Sequence, residues 1–93
     1  MLYTIAVGYL THNVKIKTNN ANQKSIIQLA CNQKSKTQFV NVAVYGKLCN
    51  SLKFAKKGQL ISIKGNLKIR KLENKSGPAI YYTYIIADEL TLM

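Results

Sequence analysis

The sequence predicts an all-β domain: five strands closed into a barrel, with one short helix between the third and fourth. Three observations carry that expectation. Apolar residues recur at every second position almost throughout, which is the spacing of half-buried strands. Only one stretch, Leu48 to Lys57, carries a helical stripe, with Leu48, Leu52 and Ala55 at i, i+4 and i+7. Gly65 stands inside a long strand-like run, where a glycine lets the strand coil tightly. The 93 residues make one domain, 1–93, because domains run upward from roughly 50 residues and two cores do not fit.

The first strand is expected over Leu2 to Leu10, where Ile5, Val7 and Tyr9 alternate with Thr4, Ala6 and Gly8. It continues past His12-Asn13 through Val14 and Ile16, with Lys15 and Lys17 on the opposite face; His12 is expected to be a loop residue. Thr18 to Lys24 reads as a polar turn, with no apolar residue larger than alanine. The second strand is expected over Ser25 to Cys31 and a short loop over Asn32 to Thr37. The third strand runs Gln38 to Tyr45, with Val40, Val42 and Val44 facing the core and Phe39, Asn41, Ala43 and Tyr45 facing away. The helix then ends at Gly58 as its C-terminal cap, with Lys56 and Lys57 suiting its dipole.

The fourth strand is expected from Gln59 to Leu72. Its odd positions, Ile61, Ile63, Gly65, Leu67 and Ile69, form an apolar face, and its even positions carry Lys64, Lys68 and Arg70. Glu73 to Pro78 forms a hairpin connection. The fifth strand runs Ala79 to Ala87, with Tyr82, Tyr84 and Ile86 on one face and Tyr81, a packing residue, on the other. This element order is that of the OB-fold, a five-stranded Greek-key barrel, although an SH3-like barrel also uses five short strands.

Charge narrows the partner. The chain has 14 Lys+Arg, all but one of them lysine, against 3 Asp+Glu, for a net charge of +11. Hydrophobic residues make up 47% of the chain, so this is no disordered basic tail. A folded, strongly basic domain points to a polyanion. Three acidic residues and a single histidine suggest no nucleophile–base pair, so an enzyme is not expected. Cys31 and Cys49 form no C-x-x-C pair and are expected to pack rather than bind zinc, and no cofactor is implied. With no apolar run long enough to span a bilayer and no signal peptide at Met1, the expected home is the cytoplasm, away from membranes.

The motifs add a family. Val7-Gly8-Tyr9-Leu10 resembles the V-G-N-L start of bacterial single-stranded DNA-binding proteins. Thr37 to Leu48, which reads TQFVNVAVYGKL, resembles their T-E-W-x-x-V-x-x-(F/W)-G-K-L segment. Lys57-Gly58, followed by Ile61 to Leu67, is similar to their K-G-x-x-V-x-(I/V)-x-G-x-L. Arg70-Lys71, Ser76-Gly77 and Tyr81-Tyr82-Thr83 follow in order. The resemblance covers nearly the whole chain. It departs from the family pattern at the tryptophans: Phe39 and Leu72 stand where two are usual, the loop that carries a third is short, and the chain has no tryptophan. The family's acidic-tipped C-terminal tail has no counterpart, so the chain is expected to be a tail-less, divergent member.

A single strand offers a charged backbone and free base faces, so binding it needs cations beside aromatic platforms. Phe39 and Tyr45 would stack bases. Lys64, Lys68 and Arg70 would take phosphates, and Lys34, Lys36 and Lys75 would flank the groove from loops. Tyr82 and Tyr84 form either a second stacking platform or a self-association surface. The leading reading is non-specific single-stranded DNA binding in replication, recombination or repair, in a form that would suit a mobile element. Two readings stand beside it: a tail-less adaptor of replication priming or restart that joins replication proteins, and an RNA-binding OB module. A small homo-oligomer is expected, with a dimer ahead of a tetramer.

Overall fold

The computed structural model describes residues 2–20, 22–73 and 75–93. Six strands form in chain order: β1 (Thr4–Leu10), β2 (Ile16–Asn19), β3 (Asn22–Gln33), β4 (Lys36–Tyr45), β5 (Leu60–Leu72) and β6 (Ile80–Leu92). They hydrogen-bond in the order β1-β5-β6-β4-β3-β2, and a further β1–β3 pairing closes the circle. The closed barrel therefore uses five strands, and β2 is an extra edge strand on β3. The β4–β6 contact is parallel, with Val42 opposite Ile85 and Ala43 opposite Ile86. The other pairings are antiparallel.

Alternation fills the barrel. Leu10, Leu29, Val42, Val44, Ile61, Ile63 and Ile85 are essentially inaccessible to solvent. Each such side chain contributes roughly 1.5–3 kcal/mol by leaving water. In β1 the inward residues are Ala6, Gly8 and Leu10, while Ile5, Val7 and Tyr9 face out. Small inward residues let β1 approach β3 where the barrel closes, at Tyr9–Ala30 and Leu10–Leu29. A Cβ on Gly8 would lie 2.7 Å from the Ala30 carbonyl oxygen and 2.8 Å from Cys31 Sγ, so this crossing requires glycine.

Several boundaries differ from the sequence reading. Much of the expected polar turn, Thr18 to Lys24, is strand: β2 pairs with β3 from Ile16–Ser25 to Asn19–Asn22. An edge hairpin exposes both faces, so it shows no apolar alternation. Ala21 in that expected turn and Asn74 in the expected hairpin connection lie outside the described residues. The expected loop Asn32–Thr37 is a tighter hairpin, with Gln33 paired to Lys36 and Lys34 at a left-handed φ of 54°. The helix is a 3-10 helix over Gly46–Leu52, not an α-helix to Lys57. Cys49 and Leu52 are the buried residues of the helix, and Ala55 is buried just beyond it. Their spacing of three matches the 3-10 repeat, in which side chains at i and i+3 eclipse.

Cys49 is fully buried and its thiol donates to the Val44 carbonyl at 3.3 Å; burial pushes both its ionisation and that of Cys31 up. Both thiols are unpaired.

The fourth barrel strand, β5, departs furthest from expectation. Its odd positions are buried only as far as Gly65, and Leu67 and Ile69 are exposed. The register explains this. Lys64 pairs with Glu89 but Gly65 pairs with Ala87, which leaves Asp88 as the extra residue of a bulge. Beyond the bulge β6 still pairs with β4 at Ile85 and Ile86; past that point the β5–β6 hairpin leaves the barrel, and both faces of its far end meet solvent. Tyr81, expected to pack, is accordingly 63% exposed.

A Cβ on Gly65 would overlap the Ile86 carbonyl, a backbone group that cannot rotate away. Gly65→Ala is expected to cost about 3 kcal/mol or more, a fall in melting temperature of about 10 °C or more. Thermal unfolding followed by circular dichroism checks this; an unchanged midpoint contradicts the close approach.

Candidate nucleic-acid interface

Register lines up side chains across the outer face of β3, β4 and β6. Lys24 stands opposite Tyr45, and Ile26 opposite Ala43, which in turn lies beside Ile86. These rows follow from the inward placement of Ile27, Val42 and Val44, because strand neighbours must point the other way. On the projecting hairpin, Lys68 stands opposite Tyr84 and Arg70 opposite Tyr82. Directly opposed residues share a face, with Cβ atoms about 4.5–5.5 Å apart. The hairpin thus presents two cation–tyrosine pairs side by side.

The two surfaces meet in a hollow of about 440 Å³ lined by Tyr45, Tyr82, Tyr84, Arg70 and Lys24. The Lys24 ammonium sits 5.5 Å from the centre of the Tyr45 ring, a cation–π distance. Tyr45 and Tyr82 are each 46% exposed, so both remain reachable from solvent. Such a hollow can accept planar apolar groups against its rings and anionic groups against its cations. Among the described residues, no cluster of His, Cys, Asp and Glu suits a metal ion.

Of the residues singled out from sequence, Tyr45, Arg70, Tyr82 and Tyr84 come together here, with Lys68 alongside Tyr84. Tyr82 and Tyr84 therefore line the same hollow as Tyr45. Phe39 does not join them. It is on the same face of β4 as Tyr45 but six residues away, about 20 Å at strand rise. It is 63% exposed and lines a second cleft with Ile5, Val7 and Leu67. Lys64 is also elsewhere, its ammonium 4.5 Å from the centre of the Tyr3 ring. Lys34, Lys36 and Lys75 are exposed at hairpin ends and do not line the hollow.

Sequence reasoning missed Lys24, Ile26, Asn41 and Leu72, which line the hollow. Lys24 and Ile26 belong to a strand whose start carries a polar, turn-like sequence. Recognising Thr18–Gln23 as a strand pair would have extended the alternation back to Lys24 and set it beside Tyr45.

No helix among the described residues is long and apolar enough to cross a membrane. The fold resembles a solved structure of the Plasmodium falciparum SSB, described as a complex with ssDNA. The two superpose with a TM-score of 0.82 at 20% identity over 100% of this chain and 95% of that one. At the sequence level the chain is 29% identical to a single-stranded DNA-binding protein of Streptococcus mutans, over 96% of its own length and 60% of the relative's. It is 32% identical to single-stranded DNA-binding protein 1 of Lactococcus lactis, over 96% of its own length and 65% of the relative's. The chain thus spans 60 to 65% of the length of these curated relatives. The single-strand binding protein family matches residues 1–93, and the chain, an OB-fold barrel, belongs to that family.

Proposed function

We propose that this chain binds single-stranded DNA with little sequence preference, serving replication, recombination or repair. The observation that carries this reading is the hollow in which Tyr45, Tyr82 and Tyr84 stand beside Arg70 and Lys24. Aromatic faces accept any base, and each stacked base contributes roughly 1–3 kcal/mol. Arg70 and Lys68 stand across the strand from the stacking rings, where they can meet the phosphates on either side of a stacked base. Duplex DNA keeps its base faces covered, so only an open strand can use both kinds of group. Phe39 offers a further platform for strands long enough to run the length of β4.

Binding of a fluorescent oligonucleotide, its duplex and the equivalent RNA across a salt series tests this. Single-stranded DNA should bind well above duplex, and the logarithm of its affinity should fall with log salt by about 0.7 per phosphate contacted. Equal affinity for duplex would reduce the surface to a general polyanion patch, and preference for RNA would favour an RNA-binding role. Tyr82→Ala or Tyr84→Ala should weaken a short single strand about 5- to 150-fold. Phe39→Ala should weaken only longer strands. Unchanged affinity in the tyrosine variants would remove the hollow from the reading.

A further inference from the structure

Between the two aromatic platforms of β4 the surface changes character. Asn41 lies on the same face as Phe39 and Tyr45, and it stands directly opposite Gln28 of β3. Directly opposed residues have Cβ atoms about 4.5–5.5 Å apart, so two primary amides lie side by side. Asn41 lines the tyrosine hollow and also a neighbouring depression of about 460 Å³ that brings in Gln28 and His12. Neither amide carries charge, so neither adds to the attraction for phosphate. An amide offers a donor and an acceptor next to each other, which is what the edge of a base also presents. In a single strand that edge is free to be read.

The Gln28 amide is held in one orientation. Thr11, just past β1, donates its N–H to the Gln28 carbonyl at 3.1 Å. The Thr11 hydroxyl lies 3.0 Å from Gln28 Oε1, 3.2 Å from the same carbonyl and 2.7 Å from His12 Nδ1. A hydroxyl gives one proton and receives on its lone pairs. With His12 Nδ1–H donating to it, and the carbonyl already served by the Thr11 N–H, the hydroxyl proton goes to Oε1. Gln28 therefore turns Oε1 towards Thr11 and keeps both hydrogens of Nε2 for a ligand. It meets a base as a donor only. The Asn41 amide has no partner among the described residues and can turn either way.

That pattern suits some bases and not others. Thymine and cytosine each carry a donor and an acceptor at N3 and position 4, in opposite orders, and both carry an acceptor at O2. Asn41 can meet the first two groups in either order, and Gln28 Nε2 can donate to O2. Adenine has only a C–H at position 2. Guanine has an amino group there, which sets donor against donor.

We infer that Gln28 and Asn41 read the edge of one base in the bound strand and select for an acceptor at its 2-position. Thr11 is the positioning residue that fixes Gln28 as a donor. The inference rests on the proposed single-strand reading and adds one base preference to it.

The test compares uniform single strands of about 8 nucleotides, within the site size of one OB-fold, made of thymine, cytosine, adenine or 2,6-diaminopurine. The last two differ only by the 2-amino group. All four carry the same phosphates, so at one salt concentration the backbone contribution is shared. Wild type should bind the thymine and cytosine strands best, and diaminopurine about 5-fold or more below adenine. Each strand's own stacking cancels when one strand is compared between proteins. Gln28→Leu, with folding confirmed by circular dichroism, should lose affinity for thymine and cytosine, hold adenine, and bring diaminopurine up to adenine. Thr11→Val frees the amide to turn Oε1 outward, so diaminopurine should again rise to adenine, whereas Thr11→Ser should keep the wild-type order. An equal loss on all four strands in Gln28→Leu would mean a contact that reads no base, and an unchanged diaminopurine-to-adenine ratio would mean that the 2-position is not sensed; either result overturns the inference. Wild type failing to bind any of the strands would instead overturn the single-strand reading itself. A wild type that binds and depends on Tyr82, yet holds adenine and diaminopurine alike, would remove the base reader alone.

Discussion

At Gly65 the backbone of β5 passes so close to Ile86 that no side chain fits between them. That contact, with the bulge at Asp88, divides β5 and β6 into two halves with different work. The near halves, with Ile85 and Ile86 just across the bend, close the barrel: Ile61, Ile63, Ile85 and Ala87 are buried, and Ile85 and Ile86 pair with β4. The far halves leave it and carry Lys68, Arg70, Tyr82 and Tyr84 out to face Tyr45. The close approach at Gly65 and the bulge at Asp88 lie at the base of the hairpin that lines this hollow.

Charge and aromatic surface divide the labour on this face. A net charge of +11 attracts any polyanion and discriminates poorly among them. Discrimination has to come from groups that an open strand can use and a duplex cannot. The hollow supplies three tyrosine rings within reach of two cations. Tyrosine also brings little rotamer freedom to lose, so the rings are nearly ordered before anything binds. The lysines are spread more widely, over the hairpin ends and the edge strand, as suits a long flexible chain of phosphates.

The barrel was largely legible in the sequence because its strands alternate. Val40, Val42 and Val44 point inward and Phe39 and Tyr45 outward, as period two requires. The same rule failed at Leu67 and Ile69, because alternation says which residues share a face and nothing about where the barrel stops. It also failed at Lys24, since an edge hairpin exposed on both faces has no apolar side to reveal it. The helix misled for a different reason: Leu52 and Ala55 belong both to the expected i, i+4, i+7 stripe and to the spacing of three that the structure buries. Phe39 and Tyr45 share a face, as read, but a face does not fix distance. Six strand residues and the splay of the hairpin put them in different clefts.

The central claim is that bases stack on the tyrosines of one hollow. The chain has six tyrosines and no tryptophan, so its intrinsic fluorescence reports on tyrosine alone. Titration of a short single-stranded oligonucleotide into wild type and into a Tyr45→Phe/Tyr82→Phe/Tyr84→Phe variant separates the hollow from Tyr3, Tyr9 and Tyr81. Phenylalanine keeps the stacking face and removes the signal. Quenching is expected in wild type and its loss in the variant, with binding retained when followed by a label on the oligonucleotide. Quenching that persists in the variant would place the bases on other tyrosines and contradict the account.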